Sequence, residues 1–188
     1  MRKLLKITSR TSSITNAFVQ AIIPHLVPSD EERSKALAVL GQTSDKSKMT
    51  CVYCGTPASD WDHFRPLVKN KRPTGYINEI RNLVPACSKC NQSKSGQDWR
   101  AWMLGNAKGS PKTRKIPDLD KRVARLEAFE MWGNVSPLGL EALIGKETWE
   151  SYWNHLHEIE NRLHTAQSEA VKVREAIMNA LKLGLKDG

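Results

Sequence analysis

The sequence predicts an α+β protein that is mostly helical and built around a small zinc-stapled core. Two observations carry the helical content and the zinc staple. Apolar residues recur at helical spacing on both sides of residues 49–104, most regularly from Lys146 to Leu183. All four cysteines lie in one stretch as two pairs, Cys51-x-x-Cys54 and Cys87-x-x-Cys90.

Residues 1–48 read as an N-terminal helical segment. Residues 1–11 are basic and polar, a disordered or DNA-following arm. A helix is expected from about Ser13 to Ile23, with Ile14, Phe18, Ala21 and Ile22 on one face. Pro24 and Pro28 break it. Ser29-Asp30-Glu31-Glu32 is a capping-box pattern that opens a second helix. Ala36, Leu37, Val39 and Leu40 form its apolar side, and Gly41 ends it. The two helices are expected to pack on the core that follows. A helix-turn-helix DNA reader is the alternative, which the stretch from Pro24 to Pro28 fits poorly.

Two CxxC pairs are the usual ligand set of a structural Zn²⁺, because each turn delivers two sulfurs to one side of a tetrahedron. Four unrelated thiols, or two disulfides, are the competing readings. No secretory signal precedes the pairs, which places the chain in a reducing cytosol. The gap of 32 residues between Cys54 and Cys87 exceeds the roughly 15–20 of a compact zinc ribbon. An insert therefore separates the halves of the knuckle, and it carries Asp62-His63.

The order CxxC, Asp62-His63, Asn82, then CxxC followed at once by Asn91 resembles the HNH (ββα-metal) endonuclease family, in the variant whose third motif residue is Asn. Trp61 to Leu67 is similar to that family's first strand, Arg81 to Cys87 to its second, and Ser88 to Trp102 to its helix. The resemblance thus implies the β part of the fold and a nuclease core over residues 49–104. It implies that His63 is the general base and that Asn82 fixes the loop carrying it. It also implies Asp62 and Asn91 as ligands of a catalytic Mg²⁺ or Mn²⁺. The chemistry is coherent. A neutral imidazole titrates near the working pH, and hard oxygen ligands suit those cations. Asp62 and His63 are adjacent, and neighbours on a strand point to opposite faces, so some irregularity is needed for both to reach one phosphate. Asn82 as a turn cap and Asn91 as a helix cap remain open. Arg65, Lys69, Lys71, Arg72, Lys89 and Lys94 are candidate phosphate contacts, or else members of a solvated basic loop. Ser88 to Leu104 is expected as one helix, with Trp99, Trp102 and Met103 inward.

Residues 105–117 read as a basic linker rich in Gly, Pro and Lys, exposed and flexible, or else tracking a DNA strand. Residues 118–188 read as a C-terminal helical region. Asp118 is expected to cap a helix to Trp132, with Leu119, Val123, Leu126 and Phe129 inward, and Gly133 to Gly139 is a break. From Lys146 to Leu183, Trp149, Leu156, Leu163, Ala170 and Ile177 recur every seven residues. Tyr152, Ile159, Ala166, Val173 and Ala180 follow three later. This a/d seam either pairs two subunits or packs on the chain's own helices. His155, His157 and His164 read as ordinary helix-surface residues.

The net charge of +9 over 188 residues favours a nucleic-acid partner. No apolar run approaches the roughly 20 residues needed to span a bilayer. The function the resemblance implies is a metal-dependent endonuclease acting on double-stranded DNA, restriction-type (type II-like) and bacterial or phage-encoded, with a cytoplasmic location expected. A homodimer would pair two single-strand cuts on a palindromic target, and a cognate DNA methyltransferase would accompany a restriction role. The alternatives are a non-catalytic zinc-containing DNA-binding module and a phage or homing-type nicking endonuclease.

Overall fold

A computed structural model describes residues 4–184. The elements run α1 (Thr11–Ile22), α2 (Asp30–Val39), β1 (Asp60–His63), β2 (Val68–Lys69), β3 (Arg72–Pro73), β4 (Leu83–Ala86), α3 (Ser88–Lys94), α4 (Trp99–Leu104), α5 (Leu119–Gly133), α6 (Leu140–Ile144) and α7 (Lys146–Gly184). The chain is α+β and mostly helical, with two small antiparallel sheets, β1–β4 and β2–β3. It divides into two compact units. One runs from Val19 to Gly139, and the other combines the residues up to Phe18 with those from Leu140 onward. α2 and α5 pack with each other and with the turn before β4.

In the Val19–Gly139 unit, α2 begins as a full capping box. Ser29 Oγ accepts from Glu32 N, and the Glu32 carboxylate accepts from Ser29 N. Ala36, Leu37 and Leu40 are buried, and Gly41, at φ +62°, supplies the left-handed residue that closes the helix. β1 pairs with β4 in the register Asp60↔Ala86, Trp61↔Pro85, Asp62↔Val84, His63↔Leu83. Between them Asn70 and Lys71, at φ +51° and +62°, form the tip of the β2–β3 hairpin, the two-residue turn whose twist suits paired strands. The core gathers Leu40, Tyr53, Phe64, Val84, Trp99, Trp102, Met103, Leu126 and Phe129. Phe64 lies at its centre, stacked on Trp99 at 5.1 Å and edge-on to Phe129 at 5.5 Å.

Three expectations are corrected here. The single helix from Ser88 to Leu104 is two helices. Ser95 takes φ +50°, which an α-helix cannot continue, and the Asp98 carboxylate restarts the chain by accepting from Ala101 N at 2.8 Å. Trp99, Trp102 and Met103 do face inward. Residues 105–117 are folded rather than a flexible linker. Ser110 is fully buried, its hydroxyl bonds Gly105 O and Thr113 Oγ1, and Lys112 N donates to Met103 O at 3.1 Å. The prolines and glycines there make successive turns held by backbone hydrogen bonds within the segment, such as Ser110 N to Ala107 O and Ile116 N to Pro111 O. Asp118 gives α5 no side-chain cap and lies in the left-handed region instead.

In the other unit, residues Ile7–Arg10 form a 3-10 turn rather than an arm, with Ile7 N donating to the Gln167 side chain at 2.7 Å. Residues 1–3 of the expected arm lie outside the described residues. α7 is one unbroken helix. Phe18 packs on Tyr152, whose hydroxyl donates to Phe18 O at 2.8 Å. The heptad positions change character along it. Trp149 and Leu156 are buried, Leu163 and Ala166 half-buried, and Ala170, Val173 and Ile177 exposed. His155, His157 and His164 are exposed. Among the described residues no helix is long and apolar enough to cross a membrane.

Candidate metal centre and active site

The two cysteine pairs meet. The first turn is closed by Cys51 N donating to Thr56 O and Gly55 N to Cys51 O. Gly55, at φ +80°, provides a conformation that side chains other than glycine rarely adopt. The second pair rides on the start of α3, where Cys87 is the N-cap and Cys90 stands one turn on. Val52 N, donating to Pro85 O at 3.0 Å, ties the first turn to β4. All four sulfurs lie within 4.8 Å of one another, and Cys54 Sγ to Cys87 Sγ is 3.7 Å. That spacing rules out a disulfide, whose sulfurs are about 2.05 Å apart, and the cysteines are free. It matches a tetrahedral ion with Zn–S bonds of about 2.3 Å, which puts sulfurs about 3.8 Å apart. The thiols perturb one another. Hydrogen bonding with Cys54 pushes Cys51 up to about 12, and bonds from Cys51 and Cys90 hold Cys54 far below the usual thiol range. Such a crowd of sulfurs suits a cation. Arg114, from the folded segment, donates to Cys90 Sγ at 3.2 Å.

β1 packs on α3, which sets Asp62 against the helix that carries Asn91 and Lys94. Asp62 points inward and is 4% exposed. Its Oδ2 accepts from Tyr53 Oη at 2.6 Å and from Lys94 Nζ at 2.9 Å, and its Oδ1 lies 3.2 Å from Lys94 Nζ. Burial raises the Asp62 pKa, opposed by Lys94, Tyr53 and His63. The carboxylate stays compatible with a divalent cation, since each oxygen has two lone pairs and Oδ1 carries one contact. Asn91 is half-buried one turn before Lys94, on the same face of α3, and among the described residues its side chain makes no hydrogen bond. The residues present therefore fit a cation held by Asp62 and Asn91.

His63 is half-buried, and its Nε2 is enclosed without a hydrogen-bond partner. Burial lowers its pKa, against pulls upward from Asp62 and Asn78, the direction that favours a proton-accepting imidazole. Asn78 is held in turn by His25, whose Nδ1 lies 2.7 Å from Asn78 Nδ2. Asn82 is fully buried. Its Oδ1 accepts from Arg65 N at 2.7 Å, and its Nδ2 donates to Arg65 O at 3.1 Å and Ile77 O at 3.3 Å. One amide thus staples both ends of the loop that follows His63.

Two of the expected phosphate contacts are corrected. Lys94 is fully buried with its ammonium bound to Asp62 and to His63 O. The Arg65 side chain is 14% exposed and paired with Glu130 at 3.0 Å. Lys69 and Lys71 are exposed at the hairpin tip, Arg72 is half-buried and Lys89 is exposed. Lys89 lines an open groove of about 670 Å³ together with Gln92, Ser93, Lys108, Gly109 and Arg114. That groove holds three cations and no carboxylate. Reasoning from sequence missed Tyr53, Asn78, His25 and Arg114 as members of this neighbourhood. Nothing in their own spacing marked them, although Lys94, three residues after Asn91, was legible as sharing its helix face.

Residues 51–97, about a quarter of the chain, match the family model described as HNH endonuclease. A 65-residue stretch is 34% identical to the CRISPR-associated endonuclease Cas9 of Corynebacterium diphtheriae, covering 32% of this chain and 6% of that relative. The chain therefore corresponds to only a small part of that relative's length. No solved structure matches.

Proposed function

We propose that this chain is a metal-dependent DNA endonuclease of the HNH type, hydrolysing phosphodiester bonds in double-stranded DNA. The observation that carries it is the packing of β1 on α3, which sets the buried Asp62 carboxylate 2.9 Å from Lys94, one helical turn from Asn91 and next in sequence to His63, in a chain whose four cysteine sulfurs cluster. His63 is the general base, Asn82 holds the loop behind it, and Asp62 with Asn91 holds Mg²⁺ or Mn²⁺. A cation there would polarise the phosphoryl group and stabilise the leaving oxygen. The four cysteines hold a structural Zn²⁺. DNA runs past Lys69, Lys71 and Arg72 on the hairpin and past the cationic groove at Lys89. The reading is tested by digesting methylated and unmethylated genomic DNA with Mg²⁺ or Mn²⁺ and sequencing the ends. Recurrent metal-dependent ends are expected, and intact DNA with both metals would sink it.

The restriction-type role, bacterial or phage-encoded, cytoplasmic and with a partner methyltransferase, is the finer reading. It predicts sensitivity to methylation in the same digest, whereas nicks alone would favour a homing or packaging nuclease. A paired cut requires two sites, and the exposed seam of α7, with Val173 at 59% and Ile177 at 55% exposure, is the surface we assign to a second copy. Light scattering is expected to give the mass of a dimer. Substituting glutamate at both Val173 and Ile177 should return the mass to that of a monomer. A monomeric wild type, with and without DNA, would remove the dimer.

A further inference from the structure

We infer that Lys94 is a positioning residue, clamping the Asp62 carboxylate and the His63 carbonyl together from α3. The inference rests on the reading of Asp62 and His63 given above. The ammonium is fully buried. It lies 2.9 Å from Asp62 Oδ2, 3.2 Å from Asp62 Oδ1 and 2.7 Å from His63 O. An ammonium has three N–H donors, and three acceptors surround it, so no donor is left for a phosphate. Stability alone is a weak reason for such a pair, since well-packed apolar residues often replace buried ion pairs at no loss. Its geometry supplies a better one. Asp62 and His63 are adjacent on β1, and Lys94 touches the side chain of one and the main chain of the other. The relative aim of carboxylate and imidazole is thereby set by a single cation.

A second clamp acts on the same carboxylate. Tyr53 is fully buried, and its hydroxyl donates to Asp62 Oδ2 at 2.6 Å. Both clamps grow out of the sulfur cluster. Tyr53 sits between Cys51 and Cys54, and Lys94 follows Cys90 by four residues on the same face of α3. The cluster therefore does more than hold the fold: it carries the two groups that aim the reactive strand.

The test uses Lys94→Met and Tyr53→Phe in the full chain, with zinc content and unfolding temperature measured alongside. A misplacement of this kind acts on the chemical step, so Lys94→Met is expected to lower kcat by about 100-fold and Tyr53→Phe by about 10-fold, with KM for DNA within about threefold of wild type. A raised KM with kcat intact would make Lys94 a phosphate contact and overturn the inference, as would two unchanged parameters. A second readout needs no divalent cation and no cleavage. In protein labelled with ¹⁵N-histidine, the ring signals of His63 are expected to move in both variants while those of His155, His157 and His164 stay. Should Lys94→Met lose zinc or fail to fold, Tyr53→Phe decides, since it removes one hydroxyl only. Unmoved His63 signals together with an unchanged kcat in Tyr53→Phe then sink the clamp. If the wild type cuts no DNA, the nuclease reading fails by itself and the ring signals alone judge the clamp.

Discussion

Replacing His63 by alanine is expected to lower the rate of DNA cleavage by about 10³-fold, within the range that a general base contributes, and to leave DNA affinity within about twofold. The ring is half-buried and its Nε2 has no hydrogen-bond partner to lose. The backbone carbonyl that Lys94 holds survives the substitution, so β1 keeps its place. The cationic groove at Lys89, Lys108 and Arg114 lies along α3 and the 105–114 segment and does not include His63. Single-turnover cleavage and fluorescence anisotropy on the same duplex separate the two quantities. Loss of both would mean that His63 supports binding or folding. Loss of neither would leave a zinc-containing DNA-binding module as the better description of the chain.

On the proposed zinc assignment, chelation, or changing Cys90 to Ser, is expected to unfold the core of the Val19–Gly139 unit. Apparent binding free energies for structural Zn²⁺ are about 10–16 kcal/mol, and whole domains are stable by only about 5–15 kcal/mol. Cys51 and Cys90 are fully buried members of the apolar cluster. The four sulfurs lie within 4.8 Å of one another, a crowding that a shared cation would satisfy. The turn that carries Tyr53 then has no anchor, and with it goes the 2.6 Å bond onto Asp62. The expected record is one zinc per chain by atomic emission, and loss of near-ultraviolet dichroism from Trp99 and Trp102 on chelation, restored by Zn²⁺ but not by Mg²⁺. A chelated protein that melts at the wild-type temperature would show that the sulfurs are mere packing.

Local patterns in the chain were read well where the cause was local. The Ser29–Glu32 box, the inward set Trp99, Trp102 and Met103, and the unbroken helix from Lys146 all follow from spacing along one element. The pairing of Cys51 and Cys54 with Cys87 and Cys90 was equally legible, because a chain with four cysteines in two tight turns has one economical way to use them. Residues 105–117 misled for the opposite reason. Gly, Pro and Lys look alike in a solvated linker and in a set of tight turns, and only the burial of Ser110 separates the two.

The sequence by itself determined the helical content, the pairing of the four cysteines and the residues of the HNH-like motif. Only the tertiary structure decided which charges face water. A lysine reads as a surface cation until a carboxylate 32 positions earlier is folded against it, as Asp62 is against Lys94, and Arg65 meets Glu130 across 65 positions. Burying an ammonium is costly unless an anion and further acceptors are already in place. That condition depends on the packing of α3 against β1 and has no signature in the spacing of residues along either one.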